Sequence, residues 1–446
     1  QVFAGCSVGV FACSLLGVIS LREPLPRFTP RFGFLVTTVL WAITALVAAL
    51  PFYFSSLGLS FADAAFEAMS GLTTTGSTVI AGLDRSPRGI LMWRSMLMFL
   101  GGVGIVAIGL FLFPFLRIGG MQLFRTESSD RSDKAMPRMM QVTSALFIVY
   151  FGLNVLCTLV YAALGMSFFD AVTHAMTTVS TGGFANYDTS FGFYDSRAIL
   201  WAGSFFMIAG ALPFVLYIDA VAHGRFTLFS DVQARTFFAL IAVVSVGLAV
   251  VVTVRTGEPF LDALTHTTFN VISVVTTTGL VSTDYTVWGN YAVAIFLVLT
   301  FVGGCSGSTA GGIKIYRLMI VAAGLRRALN RLVYPHAVVP LRYGKRTVDP
   351  EVFESVMVFL AAFFVLLAGF TVLLSLLSDL DLVTALTGVL TAMCNVGPGL
   401  GDVIGPSGNF VDIDDTALWV LTAAMMLGRL EIMTVLVLLA PVYWRR

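Results

Sequence analysis

Charged side chains are scarce in this sequence. They make up 11% of its 446 residues, whereas about a quarter of the residues in a typical soluble domain are charged. The mean hydropathy is +0.91, which excludes a soluble fold and leaves no segment for a soluble catalytic domain. The net charge of +1 gives no electrostatic reason to expect nucleic acid as a partner.

Several site signatures are also missing. The cysteines are odd in number and lie in apolar stretches without metal-ligand spacing, so neither a disulfide framework nor a zinc site is indicated. No strand is followed by Gly-x-Gly-x-x-Gly and no Walker sequence occurs, so we expect the chain itself to bind no nucleotide. The five cysteines are Cys6, Cys13, Cys157, Cys305 and Cys394.

Long apolar runs recur from end to end, and each can cross a hydrocarbon core that takes about 20 helical residues. The first run lacks the basic region and cleavage site of a signal peptide, so we interpret it as a membrane helix; the missing initiator methionine suggests a trimmed chain. The predicted spans are 1–21, 33–58, 88–116, 139–165, 197–222, 236–256, 290–324, 352–378 and 415–444.

Of the 26 basic residues, 20 cluster in alternate loops. By the positive-inside rule these loops are cytoplasmic. The opposite face carries carboxylates, including Glu67, Asp188 and Asp262, which would raise the local cation concentration or serve as ordinary solvated loop residues. The basic clusters are Arg22, Arg27 and Arg31; Arg117, Arg125, Arg131, Lys134 and Arg138; Arg225 and Arg235; 314–346; and Arg445 with Arg446.

Four shorter stretches between the spans repeat one pattern. Each begins with Asp or Thr as the expected N-cap, continues with helix-forming residues and ends in small residues at a glycine, which predicts a short pore helix followed by an extended strand. The opening residue stands 13 positions before the glycine in three copies and 17 before it in the third. The openings are Asp63, Asp170, Asp262 and Thr384, and the glycines are Gly76, Gly183, Gly279 and Gly397.

Such strands suit a filter for monovalent cations, most simply potassium. Rings of backbone carbonyls can replace the hydration shell of a potassium ion, and glycine allows the positive φ that turns carbonyls toward an axis. Threonine can add a hydroxyl oxygen. We predict that the filter consists of Thr74, Thr75 and Gly76; Thr181, Gly182 and Gly183; Thr277, Thr278 and Gly279; and Asn395, Val396 and Gly397.

A second set of small residues interrupts the span at 290–324. Helix is unfavourable there because each interior glycine costs about 1 kcal/mol relative to alanine, so we predict a gating loop at 303–312 below the filter; a helix kink is the alternative. Arg429, in the last span, is predicted to face the pore and help close it, with loop carbonyls or Glu431 as partners, or else to snorkel to the interface. The predicted gate comprises Gly303, Gly304, Ser306, Gly307, Ser308, Gly311, Gly312, Lys314 and Arg429.

These four stretches, the segment 121–130 and the segment 303–314 resemble the Trk/Ktr/HKT superfamily of potassium transporters, in particular its TrkH type. The resemblance implies an all-α polytopic fold with four helix, pore-loop, helix repeats around one pore, a homodimer in the lipid of the bacterial inner membrane, and a cytosolic nucleotide-binding regulatory ring of the TrkA type. Potassium would be the bound substrate. The implied divisions are an extra helix at 1–30 and repeats at 31–122, 123–232, 233–348 and 349–446.

Two details of the resemblance bear on the alignment. The second repeat has adjacent glycines, and Phe184 and Asp188, which match Leu280 and Asp284, favour Gly183 as its filter glycine. The family's leading helix pair is represented here by one helix, which leaves the true N-terminus open.

Two other function classes remain as alternatives. Residues 304–307 (Gly-Cys-Ser-Gly) resemble the nucleophile motif of rhomboid proteases, although no histidine is predicted on a span opposite Ser306. A secondary transporter coupled to protons or sodium is compatible with the same scaffold. The Asp170–His174 and Asp262–His266 pairs, four residues apart, are expected to stabilise their helices rather than to bind metal.

Overall fold

The computed structural model describes residues 2–20, 29–116, 135–224, 227–344 and 346–445. The segment 121–130 and the boundary at 122/123 lie outside these ranges. The same holds for the basic residues Arg22, Arg27, Arg117, Arg125, Arg131, Lys134, Arg225, Lys345 and Arg446.

The described chain is helical, which confirms the predicted all-α class. Its only strands in the described ranges form a two-residue hairpin of β1 (Arg342–Tyr343) and β2 (Arg346–Thr347). The helices are α1 (Val2–Ser20), α2 (Pro30–Tyr53), α3 (Phe61–Leu72), α4 (Arg88–Leu116), α5 (Ala135–Ala163), α6 (Phe168–Val179), α7 (Arg197–Ala211), α8 (Phe214–His223), α9 (Val232–Thr256), α10 (Phe260–Val275), α11 (Asn290–Phe301), α12 (Ile315–Val333), α13 (Pro350–Leu377), α14 (Leu382–Cys394), α15 (Asp415–Arg429), α16 (Ile432–Leu439) and α17 (Pro441–Trp444).

Six of these helices, α1, α2, α4, α5, α9 and α13, are long and apolar enough to cross a membrane, and two bent pairs raise the number to eight. The spans predicted as continuous at 197–222 and 415–444 are wrong in that respect, because α7 and α8 meet at 91° and α15 and α16 at 112°. Pro213 has no N–H to continue α7, and Glu431 has a left-handed φ of 59°. The span predicted at 290–324 is likewise divided into α11 and α12 around the glycine-rich segment.

Four short helices, α3, α6, α10 and α14, occupy the predicted pore-helix positions. Each packs against both flanking long elements of its own repeat and also against the preceding repeat, since α3 contacts α15, α6 contacts α4, α10 contacts α7 and α14 contacts α11. The fourth repeat thus precedes the first, and the arrangement closes on itself. α10 has 16 residues where α3 and α6 have 12, which is the extra turn expected from the longer spacing in the third copy.

The starts of the pore helices differ from prediction. Asp63, Asp170, Asp262 and Thr384 were expected as N-caps, but each lies at the third helical position. The caps are Ser60, Ser167, Pro259 and Asp381. Ser60 and Asp63 form a reciprocal capping box, in which the acidic side chain bonds back to the N-terminal backbone. At the outer end of α14, hydrogen bonds from the side chain and backbone of Thr384 lower the pKa of the Asp381 carboxyl.

Candidate functional site

The segment after each pore helix has the same unusual backbone in all four repeats. The filter glycines have φ of 93° at Gly76, 83° at Gly183, 79° at Gly279 and 109° at Gly397. Two residues earlier, φ is also positive, at 52° to 56°, in Thr74, Thr181, Thr277 and Asn395. Residues other than glycine rarely adopt a positive φ. A positive φ at every second residue disrupts the normal alternation of carbonyl directions along a strand. Gly182 has no positive φ, so Gly183 is the structural equivalent of the other three glycines.

These four segments surround one axis. A Cβ atom on any filter glycine would lie less than 3.0 Å from a backbone carbonyl oxygen of the next repeat. Each glycine lies against the repeat that comes next in the chain, and the fourth lies against the first. The nearest carbonyl oxygen is that of Gly182 for Gly76, Thr278 for Gly183, Val396 for Gly279, and Thr75 for Gly397. Only glycine permits this approach. The contacts close a ring of the four strands, and all four glycines line an outer vestibule of about 500 Å³.

The side chains behind the ring are not equivalent. In the first and third repeats, pairs of threonine hydroxyls bond to each other at 2.7 Å: Thr73 with Thr75 and Thr276 with Thr278. In the fourth repeat, the Asn395 amide instead donates to the Thr75 hydroxyl at 2.9 Å and to the Met425 carbonyl at 3.0 Å. Asparagine tolerates the left-handed region better than most residues, so it fits a position that is threonine in the other repeats.

An ion pair that sequence reasoning missed lies behind the first two strands. Glu67, expected among the outer carboxylates, is fully buried and accepts from Arg94 Nε at 2.6 Å. Glu67 also accepts from the Thr78 hydroxyl and from the Val79 N–H. Arg94 is an anomalous charge in an apolar span, and that signal could have identified it.

Arg94 connects the first two repeats. Its Nη1 donates to the carbonyl of Ala185 at 2.9 Å, and its guanidinium lies 3.9 Å from the ring centroid of Phe184. Both residues directly follow Gly183. The same guanidinium donates to the Thr78 hydroxyl, just beyond Gly76. One buried arginine therefore holds two neighbouring filter strands in register.

The predicted gating loop crosses beneath the ring. Its ends bond to each other, with Gly303 N–H donating to Ile313 O at 2.9 Å. The break between α7 and α8 anchors its middle, because Cys305 N–H donates to Ala211 O and Phe214 N–H donates to Gly307 O. Gly307 and Gly312 have positive φ, at 72° and 65°. The helix break that the sequence did not predict therefore supplies the backbone partners of the loop.

The loop also contacts the filter directly. Thr181 donates to the Thr309 hydroxyl at 3.1 Å, and Gly311 N–H donates to the Thr277 hydroxyl at 2.7 Å. The Thr309 hydroxyl further bonds to the carbonyl of Gly210 at 2.9 Å. The predicted filter and the predicted gating loop are thus in direct contact.

Arg429 lies against this loop. Its side chain is buried and donates from Nη1 to the Thr309 carbonyl at 2.9 Å, while Nε and Nη2 have no hydrogen-bond partner within the described ranges. The Lys314 ammonium donates to the Ala310 carbonyl. Both cations line a cavity together with Gly307, Ser308, Gly311 and Gly312.

Glu431 does not partner Arg429. Its carboxylate accepts from Arg317 at 2.6 Å, and this guanidinium lies 3.7 Å from the ring centroid of Phe359. Arg317 was not singled out from the sequence, because it lies within the basic cluster at 314–346. The ion pair ties the start of α12, directly after the loop, to the break between α15 and α16.

The two aspartate–histidine pairs differ in their contacts. His174 Nδ1 bonds to the backbone oxygen of Asp170 at 2.8 Å, and His266 Nδ1 bonds to Ser282 Oγ at 3.1 Å. Asp262 pairs instead with Arg197. The first pair thus bonds within its helix, through the backbone of Asp170, whereas the second pair does not form, and the described residues contain no cluster of metal-ligating side chains.

Comparison with known proteins identifies this architecture. The family model for TrkH, described as a cation transport protein, matches residues 9–446. The chain belongs to the TrkH family. It is 44% identical to the Trk system potassium uptake protein TrkI of Halomonas elongata over 99% of this chain and 90% of the relative, and 34% identical to TrkH of Escherichia coli over 95% and 88%.

The fold has a solved counterpart in the TrkH family. The crystal structure of the potassium transporter TrkH from Vibrio parahaemolyticus superposes with a TM-score of 0.91 at 31% identity, covering 100% of this chain and 92% of the other. The chain is thus a multi-pass membrane protein of a transport family and not an intramembrane protease. In the segment that resembles the rhomboid nucleophile motif, the Ser306 N–H donates to Gln233 Oε1 at 3.0 Å.

Proposed function

We propose that this protein takes up potassium across the inner membrane of a bacterium through one selective pore. The observation that carries the proposal is the ring of four glycine strands, each turned by positive φ at the same two positions and each in close contact with the carbonyl of the next repeat. Closely spaced carbonyls can replace the hydration shell of potassium. The TrkH relatives are named as potassium uptake proteins.

The pore helices add to this electrostatic environment. Each ends at its filter strand, so its C-terminal carbonyls, which carry the negative end of the helix dipole, point toward the ring. The fourth strand contributes Asn395 and Val396 in place of two threonines, so the proposed coordination is chemically asymmetric.

The gate in this proposal is the loop 303–312 with Lys314 and Arg429. A backbone segment bonded to Thr181 and Thr277 obstructs ions below the filter, and two buried cations repel them. Two like charges 4 Å apart repel by about 4 kcal/mol at an effective dielectric constant of about 20. Moving the loop would require breaking its bonds to the α7–α8 break.

Regulation and assembly are part of the same proposal. The basic segment that follows the loop, from Arg326 to Arg346, would bind a cytosolic nucleotide-binding ring of the TrkA type, and two copies of the chain would form a dimer in the membrane lipid. The chain itself would bind no nucleotide. Uptake could run as a channel or be coupled to protons or sodium, and the dependence of the reversal potential on pH and sodium distinguishes these modes.

Flux into liposomes carrying the purified chain tests the filter. Serine in place of Gly76, Gly279 or Gly397 should lower rubidium-over-sodium selectivity several-fold, because a Cβ would displace a carbonyl of the next repeat. Gly183→Ser should have the same effect. Gly182→Ser is the matched control, since the atoms nearest to its Cβ belong to the flexible side chain of Met98 and not to the backbone of the next repeat. Wild-type selectivity in all four filter variants would refute the proposal.

A further inference from the structure

The filter strands are fixed at their inner ends by the pore helices themselves. In each repeat the residue before the filter glycine donates its N–H to a helix carbonyl five positions earlier: Thr75 to Ser70, Gly182 to Thr177 and Thr278 to Ser273 at 2.8 Å, and Val396 to Thr391 at 3.0 Å. These bonds belong to the helix termini. They leave the outer end of each strand, beyond the glycine, to be held by something else.

A side-chain acceptor occupies that outer position in every repeat. The N–H three residues beyond the glycine donates to it: Val79 to Glu67 at 3.0 Å, Asn186 to His174 Nε2 at 3.3 Å, Ser282 to Asn270 Oδ1 at 3.1 Å, and Leu400 to Thr387 Oγ1 at 3.0 Å. We call Glu67, His174, Asn270 and Thr387 the filter acceptors.

Three of the filter acceptors stand at the same repeat position, nine residues before the glycine. In the fourth repeat that position is Gly388, which has no side chain, and the adjacent Thr387 takes the bond. All four side chains are buried. His174 Nδ1 bonds to a carbonyl oxygen, which assigns the proton to Nδ1 and leaves Nε2 as an acceptor.

A carboxylate, an imidazole, an amide and a hydroxyl differ in size, charge and shape. What they share is an oxygen or nitrogen that accepts a hydrogen bond. Their donors are buried N–H groups, which are costly to leave without a partner. The common requirement at this position is therefore the acceptor, and packing alone does not explain the choice of residues.

We infer that the filter acceptors are positioning residues for ion selectivity, which fix the outer end of each strand so that the carbonyls near the glycine keep their spacing. This inference rests on the proposed filter. Loss of one acceptor frees one buried N–H, and the strand shifts to find a new partner. Selectivity then falls, while the gate, which lies on the inner side of the ring, keeps its contacts.

Thr387 offers the sharpest test, because valine has nearly the same shape but cannot accept a hydrogen bond. In liposomes with the full chain, Thr387→Val should lower rubidium-over-sodium selectivity by about threefold or more, while Thr387→Ser retains wild-type selectivity. Thr371→Val is the matched control: it is the same substitution in the same repeat, at a hydroxyl that bonds only within α13. Melting temperature is measured for each variant to separate stability from selectivity.

Unchanged selectivity in Thr387→Val, with uptake intact, would overturn the inference. If that variant fails to fold, Asn270→Asp, which keeps an acceptor, is compared with Asn270→Leu, which does not; equal selectivity of these two would also overturn it. Gly397→Ser shows whether the positioning role alone or the proposed filter itself is wrong. If Gly397→Ser loses selectivity and Thr387→Val does not, the positioning role alone is wrong, whereas wild-type selectivity in Gly397→Ser contradicts the filter itself.

Discussion

At the scale of single residues, a buried ion pair lies behind the proposed filter. Glu67 and Arg94 are almost completely inaccessible, and each has hydrogen bonds beyond the ion pair. Replacing a buried pair as a whole can be neutral, but removing one partner typically costs about 3–5 kcal/mol because an uncompensated charge remains. Variants of this pair can therefore distinguish the effect of the buried charge from the effect of side-chain shape.

We expect Glu67→Gln to lower the melting temperature of the detergent-solubilised protein by several degrees, since glutamine keeps the shape but leaves Arg94 unpaired. Adding Arg94→Gln should recover part of that loss. The matched control is Arg197→Gln, which removes a charge from the exposed pair with Asp262, where the arginine is 57% accessible; exposed pairs contribute only about 0–1 kcal/mol. A double variant less stable than Glu67→Gln alone would contradict this account.

At the scale of elements, the loop 303–312 and the ends of α7 and α15 form one unit. Thr309 bonds to Gly210 through its hydroxyl and receives Arg429 at its carbonyl. Both contacts hold the same short backbone segment beneath the ring. Loosening either contact should therefore release the same obstruction.

Arg429→Ala should raise potassium flux by about tenfold without a regulatory partner, which corresponds to a free-energy barrier to potassium passage that is lower by about 1.4 kcal/mol. Thr309→Ala should do likewise, and the double variant should exceed either single variant only slightly, because the contacts act on one segment. Arg429→Lys is the control that keeps the charge. Flux into liposomes measures all four. Reduced flux in Arg429→Ala, or a double effect equal to the product of the single effects, would show that the arginine has an independent or structural role.

At the scale of the whole molecule, the sequence predicts what local patterns encode. Thr-Gly runs and helix-forming stretches identified four repeats and the glycine-rich break, and the all-α class is confirmed. Contacts between distant residues were not predictable in the same way: Glu67 and Arg94 pair across two elements, and Arg317 reaches Glu431 over 114 positions. The bend at Pro213 was missed because hydropathy continues through it. The repeat boundaries stay predictions.

The proposed filter and the proposed gate touch each other but consist of different residues, and this gives the last prediction. Gly279 contacts Val396 and Pro398 at the ring, while Arg429 contacts the loop below it. Sites without shared partners contribute additively in free energy. The combination of Gly279→Ser with Arg429→Ala should therefore show the selectivity of the first variant and the raised flux of the second. Rubidium and sodium flux, measured in the same liposomes, provide both the selectivity and the size of the flux. A change of the rubidium-to-sodium ratio in Arg429→Ala alone would mean that the bonds from Thr277 and Thr181 to the loop transmit gating into the filter, and that selectivity and gating share one element.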